Sequence, residues 1–265
     1  MDEQILSYLS ADYPWKAYLH YFPTLDSTND RLKAMAREAA PHGTVLIADH
    51  QTAGHGRLGR SFHSPSGSGI YLSMLLRPNC APTDLMHLTC ATAVAMCNAV
   101  EKAAGFRPGI KWTNDLVFGK RKLGGILTEL GFHPDGKVAY AIIGIGINCC
   151  QKPEDFPEEI RSIAGSLSMI ADKSIQRSQV AAAMVEALWH MSNHLLTGKE
   201  SMLSQYRTDC ITVGQSISLV RSDEIRYGIA LDVDEQGALV VRFDDGHTEA
   251  VNSGEVSVRG MYGYV

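Results

Sequence analysis

From Val213 onward the chain changes texture. Ser216–Val220, Tyr227–Asp232, Ala238–Phe243, Thr248–Val251 and Glu255–Arg259 are short alternating runs, with Gly237, Gly246 and Gly254 between or beside them. A period of two marks strands with one buried face. Five such strands in so little chain predict a small β-barrel. At 265 residues the chain fits a main domain with a small one attached, because single cores stop growing near ~250–300 residues. The predicted division is 1–212 and 213–265.

The longer part mixes helix and strand patterns, which makes the fold class α/β (α+β). Asp26-Ser27-Thr28-Asn29 precedes a helical stripe of Leu32, Met35, Ala36 and Ala39. An Asp, Ser or Thr at that point can cap the first amides, and Pro41 and Gly43 are stops. Asp84–Ala104 reads as a long Ala-rich helix closed by Gly105. Ser178–Leu196 reads as a second, with Val180, Met184, Leu188, Met191 and Leu195 on one face, and Glu200–Thr208 as a short third. Strands are predicted at Thr44–Asp49, Ile70–Leu76, Ile110–Trp112, Leu116–Phe118, Gly124–Leu130 and Val138–Ile145, with a turn at His133-Pro134-Asp135-Gly136. The segment before Ser27 is too short for a helix-turn-helix domain.

Hydrophobic residues at 45% and charged residues at 20% exclude disorder, collagen and coiled coil as descriptions of the whole chain. The net charge of −5 lies in the last part, where nine acids face four bases from Gly214 to Val265. That balance argues against DNA as a partner. Within the balanced remainder, Arg57, Arg60 and Arg77 are the only formal charges between Asp49 and Asp84. Lys111, Lys120, Arg121 and Lys122 form a second cationic cluster, broken only by Asp115. Two local cationic regions in a neutral domain predict a confined anion site. No Lys or Arg precedes Lys16, and the longest apolar run, Val138 to Ile147, is too short to span a bilayer. Six cysteines without a Cys-x-x-Cys pair read as reduced thiols, Cys90 and Cys97 packing as small hydrophobes. A cytoplasmic protein with no membrane partner is the expectation.

The strongest chemical signal is Gly54-His55-Gly56-Arg57-Leu58-Gly59-Arg60. Its glycines permit positive φ and close approach of backbone amides to a ligand. Arg57 and Arg60 add guanidinium forks suited to phosphate or carboxylate. No Gly-Lys-Ser/Thr follows, so it is not a Walker loop, and no helix pattern follows, so it is not a dinucleotide fingerprint. A plain surface loop is the alternative, and the lack of acids nearby argues against it. Lys111-Trp112-Thr113-Asn114-Asp115 and Arg121-Lys122-Leu123-Gly124-Gly125 read as a hairpin that brings Lys111 and Lys122 together around an anion. Taken singly, each lysine would be a solvated surface group. Gly144-Ile145-Gly146-Ile147-Asn148 reads as a strand passing close to something, with Asn148 exposed at its end. His190 and His194 have a metal-pair spacing but lack the Glu of His-Glu-x-x-His, so no protein-bound metal is predicted.

Five motifs taken in order resemble the biotin protein ligases. They are Ser27-Thr28-Asn29, the stretch from Gln51 to Arg60, Lys111 to Asp115, Lys122 to Leu127, and Gly144 to Asn148. The resemblance runs from about Leu25 to the end, where Ser253 to Arg259 looks like the family's C-terminal SH3-like domain. It implies a mixed-sheet biotin/lipoate ligase-like catalytic domain. It also implies a two-step reaction, in which biotin and Mg-ATP give biotinyl-5′-AMP and a lysine of a biotin carboxyl carrier protein or domain then takes the biotin. By match, Ser27, Thr28, Asn29 and Gln51 would hold the biotin ring and its ureido group. His55, Gly56 and Arg57 would form the loop over biotin and the adenylate. Lys122 would contact the carboxylate and then the acyl-phosphate, and Lys111 and Arg60 would meet phosphate. Phe62 and Asn148 would flank adenine, with Asn114 and Asp115 also on the adenylate side. Lys111, Lys122 and Arg57 are the expected catalytic residues, and Asp115 is a candidate to assist the attacking amine.

Two positions depart from the family. His55 stands where Gly-Arg-Gly-Arg would have its first arginine, and a histidine titrates near pH ~6.5. Phe62 stands where many relatives carry Trp and keeps a stacking surface. The resemblance starts too near the N-terminus to include the DNA-binding domain of some relatives, which removes their repressor role. A lipoate or octanoate ligase of the same broad fold, and a non-catalytic binding module built on the barrel, are the alternatives. The oligomeric state stays open, a homodimer among its options.

Overall fold

The structure, a computed structural model, describes residues 2–171, 173–221, 224–252 and 255–258. Its main sheet holds β1 (Leu19–Leu25), β2 (Val45–Gln51), β3 (Gly69–Leu76), β4 (Gly109–Lys111), β5 (Asp115–Phe118), β6 (Arg121–Phe132) and β7 (Val138–Asn148). The order is β1-β2-β3-β7-β6-β5-β4. β1 and β2 are parallel and every other neighbouring pair is antiparallel, so the sheet is mixed.

Alternation along the strands sorts the apolar side chains onto two faces. Leu46, Leu75 and Ile142 pack with Leu32 and Ala36 of helix α2 (Thr28–Arg37). Val45, Ile47, Leu72, Met74 and Ile143 point the other way, into the larger core. There they meet the long helices α3 (Leu88–Ala104) and α6 (Arg177–Asn193), with α1 (Asp2–Tyr8) and α7 (Lys199–Asp209) against them; the short α4 (Glu158–Arg161) and α5 (Leu167–Ile170) follow β7, and Leu167 joins the same core. The expected stripe of α6 is buried at Val180, Met184, Leu188 and Met191, and Leu195 is buried just beyond the helix end.

Two differences from the sequence reading have a local cause. β1 was not foreseen, because Pro23 interrupts it and its burial does not alternate. It is an edge strand, where a residue without an N–H is tolerated. The helix expected over Asp84–Ala104 is broken into a short 3-10 turn, Pro82–Leu85, and α3. His87 sits at the break, fully buried, with Nε2 2.9 Å from the Leu195 carbonyl. That bond turns the chain between the two pieces. Gly105 ends α3 at φ 82°, as its position predicts.

The C-terminal strands β8 (Ser216–Arg221), β9 (Glu224–Val233), β10 (Leu239–Phe243), β11 (Thr248–Val251) and β12 (Glu255–Val258) form a five-stranded antiparallel sheet in the order β11-β10-β9-β8-β12. Ser253, Gly254 and Arg259 of the closing motif lie outside the described residues. The two sheets are stitched together at Trp112, whose Nε1 donates to the Gly237 carbonyl at 3.0 Å and whose backbone N–H donates to Thr212 Oγ1 at 2.9 Å. Among the described residues, no helix is long and apolar enough to cross a membrane.

Candidate active site

The C-terminal ends of parallel β1 and β2 lie side by side and feed the two polar motifs. Ser27 has extended backbone and caps α2, its Oγ accepting from the Asp30 N–H at 3.3 Å. This capping places Thr28 and Asn29 in the first helical turn, both almost fully buried. The chain leaving β2 carries Gln51, whose Oε1 accepts from Thr28 N at 2.8 Å and from Thr28 Oγ1 at 3.0 Å. Backbone bonds from Thr52 to Leu25 and from Ala53 to Asp26 extend the pairing into the Gly-rich loop.

That loop closes on itself. Gly56 N donates to the Arg60 carbonyl at 2.7 Å and Phe62 N to the Gly54 carbonyl at 2.9 Å. Arg57–Gly59 form a single 3-10 turn, with Leu58 at φ 58° and largely exposed. The Arg57 guanidinium reaches inward: Nη1 donates to Asn114 Oδ1 at 2.9 Å and lies 3.4 Å from Thr113 Oγ1. His55 Nδ1 stands 3.7 Å from Asp30 Oδ2. Burial acts to raise the Asp30 carboxyl, but the Lys33 ammonium, the His55 ring and the Ser27 hydroxyl hold it below its ordinary range.

These elements surround one cavity of about 190 Å³. Ser27, Thr28, Asn29, Gln51, His55, Gly56, Arg57, Arg60, Phe62, Lys111, Asn114, Asp115 and Lys122 all line it. Four of these are cations and one, Asp115, is a carboxylate, so this lining carries a positive excess together with neutral hydrogen-bonding groups. Lys122 Nζ pairs with Asp115 Oδ1 at 2.7 Å. Lys111, expected singly to be solvated, is 8% exposed. Its strand is covered by the C-terminal segment, which bridges Ile110 to Cys210.

Two glycines of β7 make the room. A Cβ on Gly144 would lie 2.1 Å from Asn29 Oδ1, and one on Gly146 would lie 2.5 Å from the Phe62 ring. The strand thus does pass close to something: Asn29 of α2 and the loop aromatic Phe62. Asn148 does not follow the expectation. It is 7% exposed and is not part of the cavity wall. β7 runs on to pair it with Gly69, and its Nδ2 donates to the Gly165 carbonyl at 3.0 Å.

Several neighbours went unseen in the sequence. Ser73, fully buried in β3, has Oγ 2.6 Å from Asn29 Oδ1 and 2.8 Å from Thr28 Oγ1. Glu129 of β6 accepts from Asn29 Nδ2 at 2.8 Å. Ser64 lies 3.3 Å from Gln51 Nε2. Val256 brings the C-terminal sheet into the cavity wall. A lone serine or glutamate inside a strand pattern carries no signal; only the register of the sheet brings these side chains together. Among the described residues no cluster of three His, Cys, Asp or Glu is placed to hold a metal, His190 and His194 included.

The profile of the Biotin/lipoate A/B protein ligase family matches residues 21–148, and that of the Biotin protein ligase C terminal domain matches residues 212–259. The bifunctional ligase/repressor BirA of Bacillus subtilis is 36% identical over 230 residues, which cover 86% of this chain and 70% of that one. The biotin ligase for acetyl-CoA carboxylase of Mycobacterium tuberculosis is 30% identical over 236 residues, covering 87% and 85%. The biotin protein ligase from Aquifex aeolicus, solved in complex with biotin and ATP, superposes with a TM-score of 0.75 at 29% identity, covering 91% of this chain and 98% of that one. The likeness extends over both sheets and takes in the cavity between loop and hairpin: this chain belongs to the biotin protein ligase family.

Proposed function

We propose that the cavity activates biotin with ATP and passes it to one lysine of a biotin carboxyl carrier domain. The observation that carries this reading is that one cavity is lined by two chemistries. Ser27, Thr28, Asn29 and Gln51 offer neutral hydrogen-bonding groups suited to a ureido ring, and Arg57, Arg60, Lys111 and Lys122 line the same cavity with cations. Joining a carboxylate to an α-phosphate brings two anions together, and converging cations cancel that repulsion.

In the first step a biotin carboxylate oxygen attacks the α-phosphorus and the bond to the bridging oxygen breaks, releasing pyrophosphate. Lys122 meets the carboxylate, Lys111 and Arg60 the phosphates, and Arg57 holds the loop over the product. Phe62 offers its ring to adenine; Asn148, expected to flank it, is buried with its Nδ2 on the Gly165 carbonyl and would have to turn to reach the cavity. Mg²⁺ enters with the nucleotide as part of the substrate. Asp115, already paired with Lys122, provides no all-protein cage for it, so phosphate oxygens and water would hold it. In the second step the neutral carrier amine attacks the acyl carbon, AMP departs, and the amine proton passes to solvent or to Asp115.

Residues 1–212 form the catalytic unit in this reading. Residues 213–265 form a smaller SH3-like unit that closes the cavity through Val256 and steadies Trp112 through Gly237. A cytoplasmic site of action follows from the carrier. The deciding experiment is biotin-dependent exchange of pyrophosphate into ATP, with free lipoate as competitor. Exchange driven by lipoate, or none with biotin, would overturn the reading.

A further inference from the structure

Asn29 lines the cavity, but its orientation is decided by Glu129 and Ser73, which do not. The two orientations of an asparagine amide differ little in intrinsic energy, yet they present opposite hydrogen-bonding character. Here Asn29 Nδ2 donates to Glu129 Oε2 at 2.8 Å and to the Leu127 carbonyl at 3.4 Å. On the other side Ser73 Oγ donates to Oδ1 at 2.6 Å. Turning the amide over would set Oδ1 against a carboxylate and a carbonyl, acceptor facing acceptor. Lys33 supplies the counter-charge, with Nζ 2.9 Å from Glu129 Oε1 and 2.7 Å from Asp30 Oδ1.

The polarity passes on along the buried chain. Ser73 has one proton, and Asn29 Oδ1 can only accept, so that proton is committed. Thr28 Oγ1 must then donate, either to Ser73 Oγ at 2.8 Å or to Gln51 Oε1 at 3.0 Å. Gln51 Oε1 also accepts from the Thr28 backbone, which turns Nε2 toward Ser64. With both amide protons of Asn29 used inside the protein, the group left to meet a ligand is an Oδ1 lone pair. A ligand N–H is its complement.

We propose that Glu129 is a positioning residue of the biotin site. Acting through Asn29 and Ser73, it sets which polar atoms face the cavity as acceptors and so selects a ureido ring by its N–H. This rests on the reading that the cavity takes biotin. The residue touches neither substrate, so its effect should fall on one Michaelis constant.

The test compares Glu129→Leu, Glu129→Gln and Ser73→Ala in biotin-dependent pyrophosphate exchange, with circular dichroism and thermal midpoints recorded beside each. Glu129→Leu should raise the KM for biotin about tenfold or more, the size expected when a buried polar group loses its partner. The KM for ATP should stay within about twofold. Glu129→Gln keeps an acceptor for Asn29 and should recover most of the loss. Ser73→Ala frees the amide from the opposite side and should copy the Leu variant, which keeps the test alive if that variant fails to fold. A biotin KM that stays near wild type in folded Glu129→Leu and Ser73→Ala overturns the proposal. So does an equal rise in both constants, or a Gln variant as impaired as the Leu one. Absence of biotin-dependent exchange in the unmodified protein would instead remove the reading of the site, and the inference with it.

Discussion

Lys122 Nζ and Asp115 Oδ1 face each other at 2.7 Å across the β5–β6 pair, inside the cavity wall. The Lys122 side chain is 35% exposed, so this pair contributes little to the fold, about 0–1 kcal/mol after solvent screening. In the proposed reaction its value lies in the cation set beside the biotin carboxylate. Lys122→Ala should therefore melt close to wild type while losing roughly 10²–10³ in adenylation rate. Pyrophosphate exchange and a melting curve on the same sample measure the two effects. Normal exchange in the variant would remove Lys122 from the reaction.

Gly144 tests the biotin end. It is paired with Ser73 on one side and Leu127 on the other, in the middle of the sheet, so its backbone cannot retreat. A Cβ there would displace the Asn29 amide, 2.1 Å away. Gly144→Ala should cost about 1–3 kcal/mol of stability from overpacking and raise the KM for biotin more than that for ATP. Steady-state kinetics with each substrate varied in turn give the answer; a variant with unchanged biotin KM would show that Asn29 is not needed there.

The base of the loop carries a titrating clamp. Arg177 Nη2 lies 2.6 Å from Asp49 Oδ1 and 2.7 Å from the Gly69 carbonyl, while Ser66 and the Gly67 amide bond Asp49 Oδ2. Burial acts to raise the Asp49 carboxyl, but the Ser66 hydroxyl and the Arg177 guanidinium hold it below its ordinary range. A depressed carboxyl contributes stability that is present above its unfolded value, ~3.9, and is lost as pH falls through the folded one. The melting temperature should fall below pH ~4, and the difference between wild type and Asp49→Asn should shrink over the same window. A difference independent of pH down to pH 3 would assign the clamp no electrostatic part.

The cavity was legible in the sequence where residues announce themselves by type and spacing. The glycines and arginines of the loop and the lysines flanking Trp112-Thr113-Asn114-Asp115 needed no register to be noticed. Ser73 sits between Leu72 and Met74 and reads as one more position of a strand. Glu129 reads as the polar side of an alternating run. Ser73 enters because β3, β7 and β6 pair Ser73, Gly144 and Leu127 in one row beneath Asn29, and Glu129 because it stands two residues on from Leu127 along β6. Burial was also misjudged where it depends on a distant element. Asn148, expected exposed, is drawn to Gly165, and the burial of Lys111 under the chain near residue 210 could not be read from its own strand. β1 stayed hidden because Pro23 breaks its pattern, although the edge position makes that proline harmless.

In the proposed reaction Arg57 is the anchor that sets how long the intermediate stays. Its Nη1 bonds Asn114 Oδ1 of the hairpin at 2.9 Å, which ties the loop to the opposite cavity wall. Charge-assisted hydrogen bonds of this kind are worth about 1.5–3 kcal/mol. Arg57→Gly removes the anchor and adds a further glycine, which raises the entropy of the open loop. Lys111 and Lys122 remain in the wall, so biotinyl-AMP should still form. It should leave sooner, by roughly 10- to 100-fold at ~1.4 kcal/mol per decade. Free adenylate would then acylate exposed lysines on bystander proteins. The measurement pairs the adenylate dissociation rate with biotin labelling of albumin in the same tube. A variant that retains the intermediate as tightly as wild type would transfer the anchoring role to His55 or Arg60.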